Sequence, residues 1–244
     1  MRCCEIMRSL FQKIKKRLIG VTERDILDNL RRGGAIIGEK VKIFSPNRTI
    51  IDSTRPWLLT IGSYTKITQG VTILTHDYSL SVLRRVYGDW IGEGEETIIG
   101  ENCFLGVNSI LLMGTHLGNN VIVGAGSVVR GFFPDNVVIA GNPARVVCTL
   151  EEHYQRRCKK TIQEAVACAK RYREIFGERP TPKDLEGFKF LFVPRNSELV
   201  KEYGLSFQCS GDEPSEVEEA FYQTKPYWPD FEKFLVETEK EENR

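Results

Sequence analysis

The chain of 244 residues holds three histidines, at 76, 116 and 153. His76 lies in Ile73-Leu74-Thr75-His76-Asp77-Tyr78, just before the longest interruption of an otherwise regular pattern. An imidazole titrates near neutral pH, so it is the simplest general base for drawing a proton from a hydroxyl. Asp77 adjoins it and could orient a ring nitrogen in its own or a neighbouring subunit. Adjacent residues of a strand point to opposite faces, which disfavours that contact within one chain. Taken alone, His76 is more simply a surface corner residue with an ordinary hydrogen bond. His116 reads as a solvated turn residue, and His153 as a partly exposed helical one. A second candidate is Val123-Gly124-Ala125-Gly126-Ser127-Val128. Its small residues leave backbone amides and carbonyls uncovered, so a slender ligand arm could hydrogen-bond along them. Tight corners alone would ask for the same residues. Arg145 follows the turn Gly141-Asn142-Pro143 and could meet a phosphate by charge-assisted bonds, or stand as a solvated charge.

The element that must position these residues runs from Ile99 to Val129. Cut every six residues, each block opens with an aliphatic: Ile99, Leu105, Leu111, Leu117, Val123, Val129. Gly follows four of them, as Gly100, Gly106, Gly118 and Gly124. That period fits neither a helix face nor an alternating strand. It fits a chain that turns a corner every six residues, with the aliphatic inward. Three sides close a coil, which predicts Ile99 stacked on Leu117, Leu105 on Val123, and Leu111 on Val129. Successive coils of such a parallel β-helix lie roughly 4.8 Å apart. The spacing does not give the hand. A looser form of the pattern starts at Ile37, breaks near Pro46 and Pro56, and returns at Ile61, Ile67 and Ile73. Ser79 stands where the next opener should fall, so residues 79–98 are an insertion. It holds Arg84, Arg85, Tyr87 and Trp90, which need something to pack on; excursions of this length from a regular scaffold are usually functional or disordered.

Three segments follow: a helical stretch over 1–36, the β-helix over 37–148, and a mostly helical appendage over 149–244. Residues 1–20 read as a basic amphipathic helix, with Ile6, Leu10, Ile14 and Leu18 on one face. Capping of the coil's open end is favoured for it over a membrane-surface contact. In the appendage, 151–176 has helical spacing stopped by Gly177, Ser215 with Glu218 forms a capping box, and 228–237 is a final helix. The formal net charge of +1 gives nothing that draws nucleic acid. Seven cysteines without a CxxC pair, and no secretory apolar run, point to free thiols in a reducing cytoplasm.

Residues 37–147 resemble the hexapeptide-repeat acyltransferases, such as galactoside, maltose and serine acetyltransferases. The resemblance rests on THDYS (75–79) and the loop after it, the [LIV]-G blocks, GAGSVV (124–129) and AGNPARVV (140–147). It implies a mainly β protein with a left-handed parallel β-helix, assembled as a homotrimer with sites between subunits. It also implies acetyl-CoA as donor, no metal, and His76 as the base that activates an acceptor hydroxyl. The donor's arm is expected against Gly106, Gly124 and Ala125, and its phosphates or nucleotide end near Arg130 and Arg145. Phe104 stands where many members carry Trp, and takes a stacking or packing role. The acceptor is expected against Asp77, Tyr78, Arg84 and Trp90. The tail, with RPTPKD (179–184) and FKFLFVPR (188–195), is similar to enzymes that acylate surface polysaccharides. A carbohydrate acceptor and a cytoplasmic site, peripheral at the inner membrane, follow from that likeness.

Three other readings compete. A zinc site of the γ-carbonic-anhydrase kind needs three converging histidines, whereas His76 and His116 are forty residues apart and no HxxxxH pair exists. A non-catalytic scaffold would keep the glycines but have no use for His76 beside an aromatic loop. An antibiotic O-acetyltransferase would share donor and base and differ only in acceptor.

Overall fold

The computed structural model describes residues 20–209 and 211–242. The amphipathic helix expected over 1–20 therefore lies outside the described residues, Gly20 excepted. The chain divides at Leu150/Glu151 into two compact units, each with its own apolar core.

The first unit opens with helix α1 (Glu23–Arg32). Thr22 starts it with a capping box: Asp25 N donates to Thr22 Oγ1, and Thr22 N donates to Asp25 Oδ2. Its buried Leu27 and Leu30 join Val41 and Ile43 in one cluster, so α1 covers the N-terminal end of the coil. Residues 23–32 thus cap the coil within the helical stretch expected over 1–36.

The strands that follow form a three-sided coil. The first face carries β1 (Ile36–Ile37), β4 (Leu59–Ile61), β7 (Thr97–Ile99) and the end of β9 (Ile110–Leu117). The second carries β2 (Lys42–Ile43), β5 (Lys66–Ile67), β8 (Phe104–Leu105), β10 (Ile122–Val123) and β12 (Val137–Gly141). The third carries β3 (Ile50–Ile51), β6 (Thr72–Ile73), the start of β9 and β11 (Val128–Phe133). Strands β9 and β11 bend round a corner and serve two faces. All these pairings are parallel. Ile99 pairs with Leu117, Leu105 with Val123 and Leu111 with Val129, the register set by the six-residue spacing.

These six side chains are buried in one core with Ile61, Ile67, Ile73 and Ile139. Full burial of one such aliphatic contributes about 1.5–3 kcal/mol. At the corner after the first face, Tyr64, Asn102, Asn120 and Asn136 adopt left-handed backbone angles. Asn tolerates that region better than most residues. The asparagines form a ladder, Asn102 Nδ2 donating to Asn120 Oδ1 and Asn120 Nδ2 to Asn136 Oδ1, both at 2.9 Å. After Gly141 the chain turns through a cis Asn142–Pro143 bond, and β13 (Ala144–Thr149) pairs antiparallel with β12. That strand covers the open edge of the second face.

The 79–98 insertion contains helix α2 (Leu80–Tyr87), ended by Gly88 in the left-handed conformation. Its last residues are already strand, because Thr97 and Ile98 pair with Leu59 and Thr60.

The second unit is helical: α3 (Leu150–Phe176), a 3-10 turn at Glu186–Leu191, α4 (Ser197–Glu202), α5 (Pro214–Tyr222) and α6 (Phe231–Glu242). Gly177, at φ +70°, follows α3. Glu213 stands at the N-cap position of helix α5 without a side-chain capping bond and Pro214 opens the first turn, so Ser215 is inside the helix rather than its cap. The mainly β class holds for the first unit only. Across the described residues helix outnumbers strand, because most faces of the coil contribute just two or three residues per turn to a ladder.

Candidate active site

His76 sits at the corner after the third face, three residues beyond the end of β6. Asp52 follows Ile51 at the same corner, one coil earlier, because β3 and β6 pair in register. His76 Nδ1 lies 2.5 Å from Asp52 Oδ2. The Asp52 side chain is 4% exposed, that of His76 27%. Four further donors converge on the carboxylate, among them Thr75 N, 3.3 Å from Oδ2. Thr54 N and Oγ1 reach Oδ1 at 2.9 and 2.7 Å, and Thr75 Oγ1 reaches Oδ2 at 2.5 Å. Burial alone would push the Asp52 carboxyl up. The bonds from Thr75, the Thr54 backbone, the Thr54 hydroxyl and His76 outweigh it and hold the group far below the usual carboxylate range. An ionised carboxylate only accepts, so the ring proton belongs on Nδ1 and the lone pair on Nε2. No residue of the described chain bonds Nε2. The buried carboxylate thus holds the imidazole in one tautomer.

Asp52 replaces Asp77 as the residue that orients the ring. Asp77 is exposed and turned away, its Oδ1 accepting from Ser79 N at 2.7 Å. Next-door residues diverge on an extended chain, whereas same-position residues of stacked coils meet. The signal was present in Ile50-Ile51-Asp52 as a further coil side. The irregular turns at Pro46–Arg48 and Pro56–Leu58 hid its register with Ile73.

The insertion leaves the coil directly after His76 and returns to the same corner. Glu95 N donates to Thr75 O at 3.3 Å, and Arg55 Nη1 donates to Glu93 O. Tyr78 and Trp90 are 74% and 83% exposed, and the Arg84 guanidinium lies 4.2 Å from the Trp90 ring centre. No residue of α2 is buried.

Gly106, Gly124 and Ala125 lie at a different corner, the one after the second face. A Cβ on Gly106 would meet Val123 O at 2.5 Å, so coil stacking itself requires that glycine. Ala125 and Gly126 are exposed, and a Cβ on Gly126 would meet nothing within 4 Å. An open run of backbone therefore exists there. Arg145, exposed, lies beyond the cis-proline turn, paired in register with Ala140. Phe104 points outward from the second face between Lys66 and Ile122. Arg130 is elsewhere: it follows β11's third-face segment and lies 3.5 Å from Glu95. One protomer thus brings together His76, Asp52, Arg130 and the insertion. It keeps them apart from Gly106, Gly124, Ala125 and Arg145. Among the described residues, no group of three or more His, Cys, Asp or Glu could hold a metal.

A coil of stacked six-residue sides defines the class of fold. A family model for the hexapeptide repeat of succinyl-transferase matches residues 96–130. The chain is 40% identical to protein CapG of Staphylococcus aureus over 147 residues, 60% of this chain and 81% of that protein. It is 32% identical to the proposed colanic acid biosynthesis acetyltransferase WcaF of Escherichia coli K12, over 48% of this chain and 71% of that one. A solved maltose O-acetyltransferase of Clostridium difficile 630 is 25% identical, with a TM-score of 0.43, over 57% of this chain and 84% of that one. The chain belongs to the hexapeptide-repeat acetyltransferases. It is, accordingly, an acyltransferase.

Proposed function

We propose that the chain transfers an acetyl group from acetyl-CoA to a sugar hydroxyl of a surface polysaccharide or its precursor. The observation that carries the proposal is the Asp52–His76 pair beside an exposed aromatic insertion. In this reading His76 Nε2 takes the proton of the acceptor hydroxyl as its oxygen attacks the thioester carbonyl. The tetrahedral adduct then collapses, the C–S bond breaks, and the proton passes from Nε2 to the departing thiolate. Asp52 keeps Nδ1 protonated and stabilises the imidazolium between the two transfers. The donor's arm would run along the open backbone at Ala125 and Gly126, with Gly106, Gly124 and Phe104 beside it and Arg145 toward the phosphates. Arg130, paired with Glu95, is better placed to brace the insertion.

The two corners of one prism can share a site only if copies pack side by side. A left-handed coil assembled as a homotrimer provides that, with His76 of one copy facing the small-residue corner of the next. The carbohydrate acceptor is supported by the likeness to WcaF, an acetyltransferase assigned to colanic acid biosynthesis. No helix of the described residues is long and apolar enough to cross a membrane. The reading retains a cytoplasmic site, peripheral at the inner membrane.

Release of coenzyme A with panels of glycans and antibiotics, for wild type and His76→Ala, tests the proposal. The variant is expected to lose about 10²–10⁴-fold in turnover, the range for a positioned general base. Full turnover without the imidazole would remove the mechanism. Acetylation of antibiotics alone would move the acceptor to a different class.

A further inference from the structure

We infer that the acceptor carries an anionic group, a carboxylate or a phosphate, and that Arg84, stacked on Trp90, receives it. The inference rests on the acetyltransferase reading of the site and adds the charge class of its substrate. Arg84 is half-buried on α2, and its Nε is buried without a hydrogen-bond partner. A buried guanidinium nitrogen with no acceptor is uncommon, and it persists where a ligand or partner supplies one. Two acidic groups at the ends of the insertion are engaged elsewhere. Asp77 accepts from Ser79 N, and Glu95 lies against Arg130. Glu93 has a buried Oε1 without a partner, so an unmet donor and an unmet acceptor share the insertion without meeting.

The cation–π contact with Trp90 holds the guanidinium plane in place, and so prepays the ordering that a bidentate bond to a carboxylate or phosphate requires. Trp90 remains 83% exposed, so most of its apolar surface is free for the C–H face of a pyranose. Placement agrees with this. Trp90 is three residues from the anchored Glu93, within about 11 Å of it along any path of the chain. Both ends of the insertion are fixed at the His76 corner. A charged sugar gripped at Arg84 would have its ring in the neighbourhood of the base.

The test compares methyl pyranosides of galactose and glucose with their uronic acid and 6-phosphate forms. Wild type, Arg84→Gln and Trp90→Phe are followed by coenzyme A release. Tryptophan fluorescence quenching that disappears in Trp90→Phe reports binding in the absence of acetyl-CoA, since Trp57 and Trp228 also emit. Wild type is expected to prefer a charged acceptor over its neutral parent by about tenfold or more in kcat/KM, mostly through KM. In Arg84→Gln that ratio should fall toward one, and Trp90→Phe should reduce it less. The carboxylate and phosphate arms tell which anion the site takes. Three results would overturn the inference: a wild-type preference for neutral acceptors, an unchanged ratio in Arg84→Gln, or a loss in that variant confined to the KM for acetyl-CoA. The last would assign the arginine to the donor's phosphates. Charged glycosides that quench Trp90 but are never acetylated would uphold the anion site and refute the proposed transfer to sugar hydroxyls. Neither quenching nor turnover with any charged glycoside would overturn both.

Discussion

In the coil, Ile99, Leu105 and Leu111 lie in register with Leu117, Val123 and Val129, so each of these aliphatics meets a near copy of itself one turn away. In the second unit nothing repeats. Phe234 lies 5.3 Å from Phe192 and 4.8 Å from Trp228, ring centre to ring centre, residues gathered from three separate stretches of chain. The 27-residue helix α3 buries only Ala165 and Ala169 fully. The coil spreads its burial evenly over many medium-sized side chains. The appendage concentrates it in a few large rings. Repetition makes the interior of the first unit tolerant and its corners available for chemistry. The aromatic cluster makes the second unit depend on single residues.

The largest expected effects test that contrast directly. Phe234→Ala should cost the second unit about 3–5 kcal/mol. Leu105→Ala and Leu111→Ala should each cost the coil about 2–5 kcal/mol and resemble one another closely. Denaturant unfolding of the purified variants measures this. If Leu105→Ala and Leu111→Ala differed as widely as Phe234→Ala does from Val200→Ala, the even distribution assigned to the coil would be wrong.

A smaller effect is expected at the one coil corner that departs from repetition. Asp52→Asn should destabilise the coil by about 1–3 kcal/mol at neutral pH, since it disrupts a buried network of hydrogen bonds. The folded carboxyl takes up a proton less readily than the unfolded one. The contribution of its charge is therefore complete above the unfolded pKa of about 4 and shrinks as the pH falls below it. Urea midpoints at pH 7, 5, 4 and 3 should show wild type and variant converging on acidification. Parallel midpoints would mean that the charge contributes nothing. Turnover of the same variant should also fall, because the imidazole loses the partner that fixes its tautomer.

The smallest effect separates the units by thiol chemistry. Cys103 is buried between coils and donates toward Gly118 O, and burial pushes its thiol up to about 11. Cys168 and Cys209, in the second unit, are exposed. Brief treatment with iodoacetamide, read by peptide mass mapping, should modify 168 and 209 and spare 103. Early labelling of Cys103 would mean that the coil opens more readily than its core implies.

The sequence alone determined the coil between Ile99 and Val129, its inward residues and its register, because a fixed period of six makes each position predict the one a turn later. It singled out His76 for the same reason, as the histidine at a corner where the period fails. It also marked the long helix before Gly177, whose spacing and stop are local signals. Only the tertiary structure decided that Asp52, not Asp77, bonds the ring within the chain, and that Arg130 lies against Glu95. It alone showed that Gly124 and Ala125 occupy another corner from His76, and that Arg84 rests unpaired on Trp90. Each of these depends on how many residues the irregular corners and the insertion consume. No periodicity encodes those lengths, so the partners meet only once the chain has closed its turns in space.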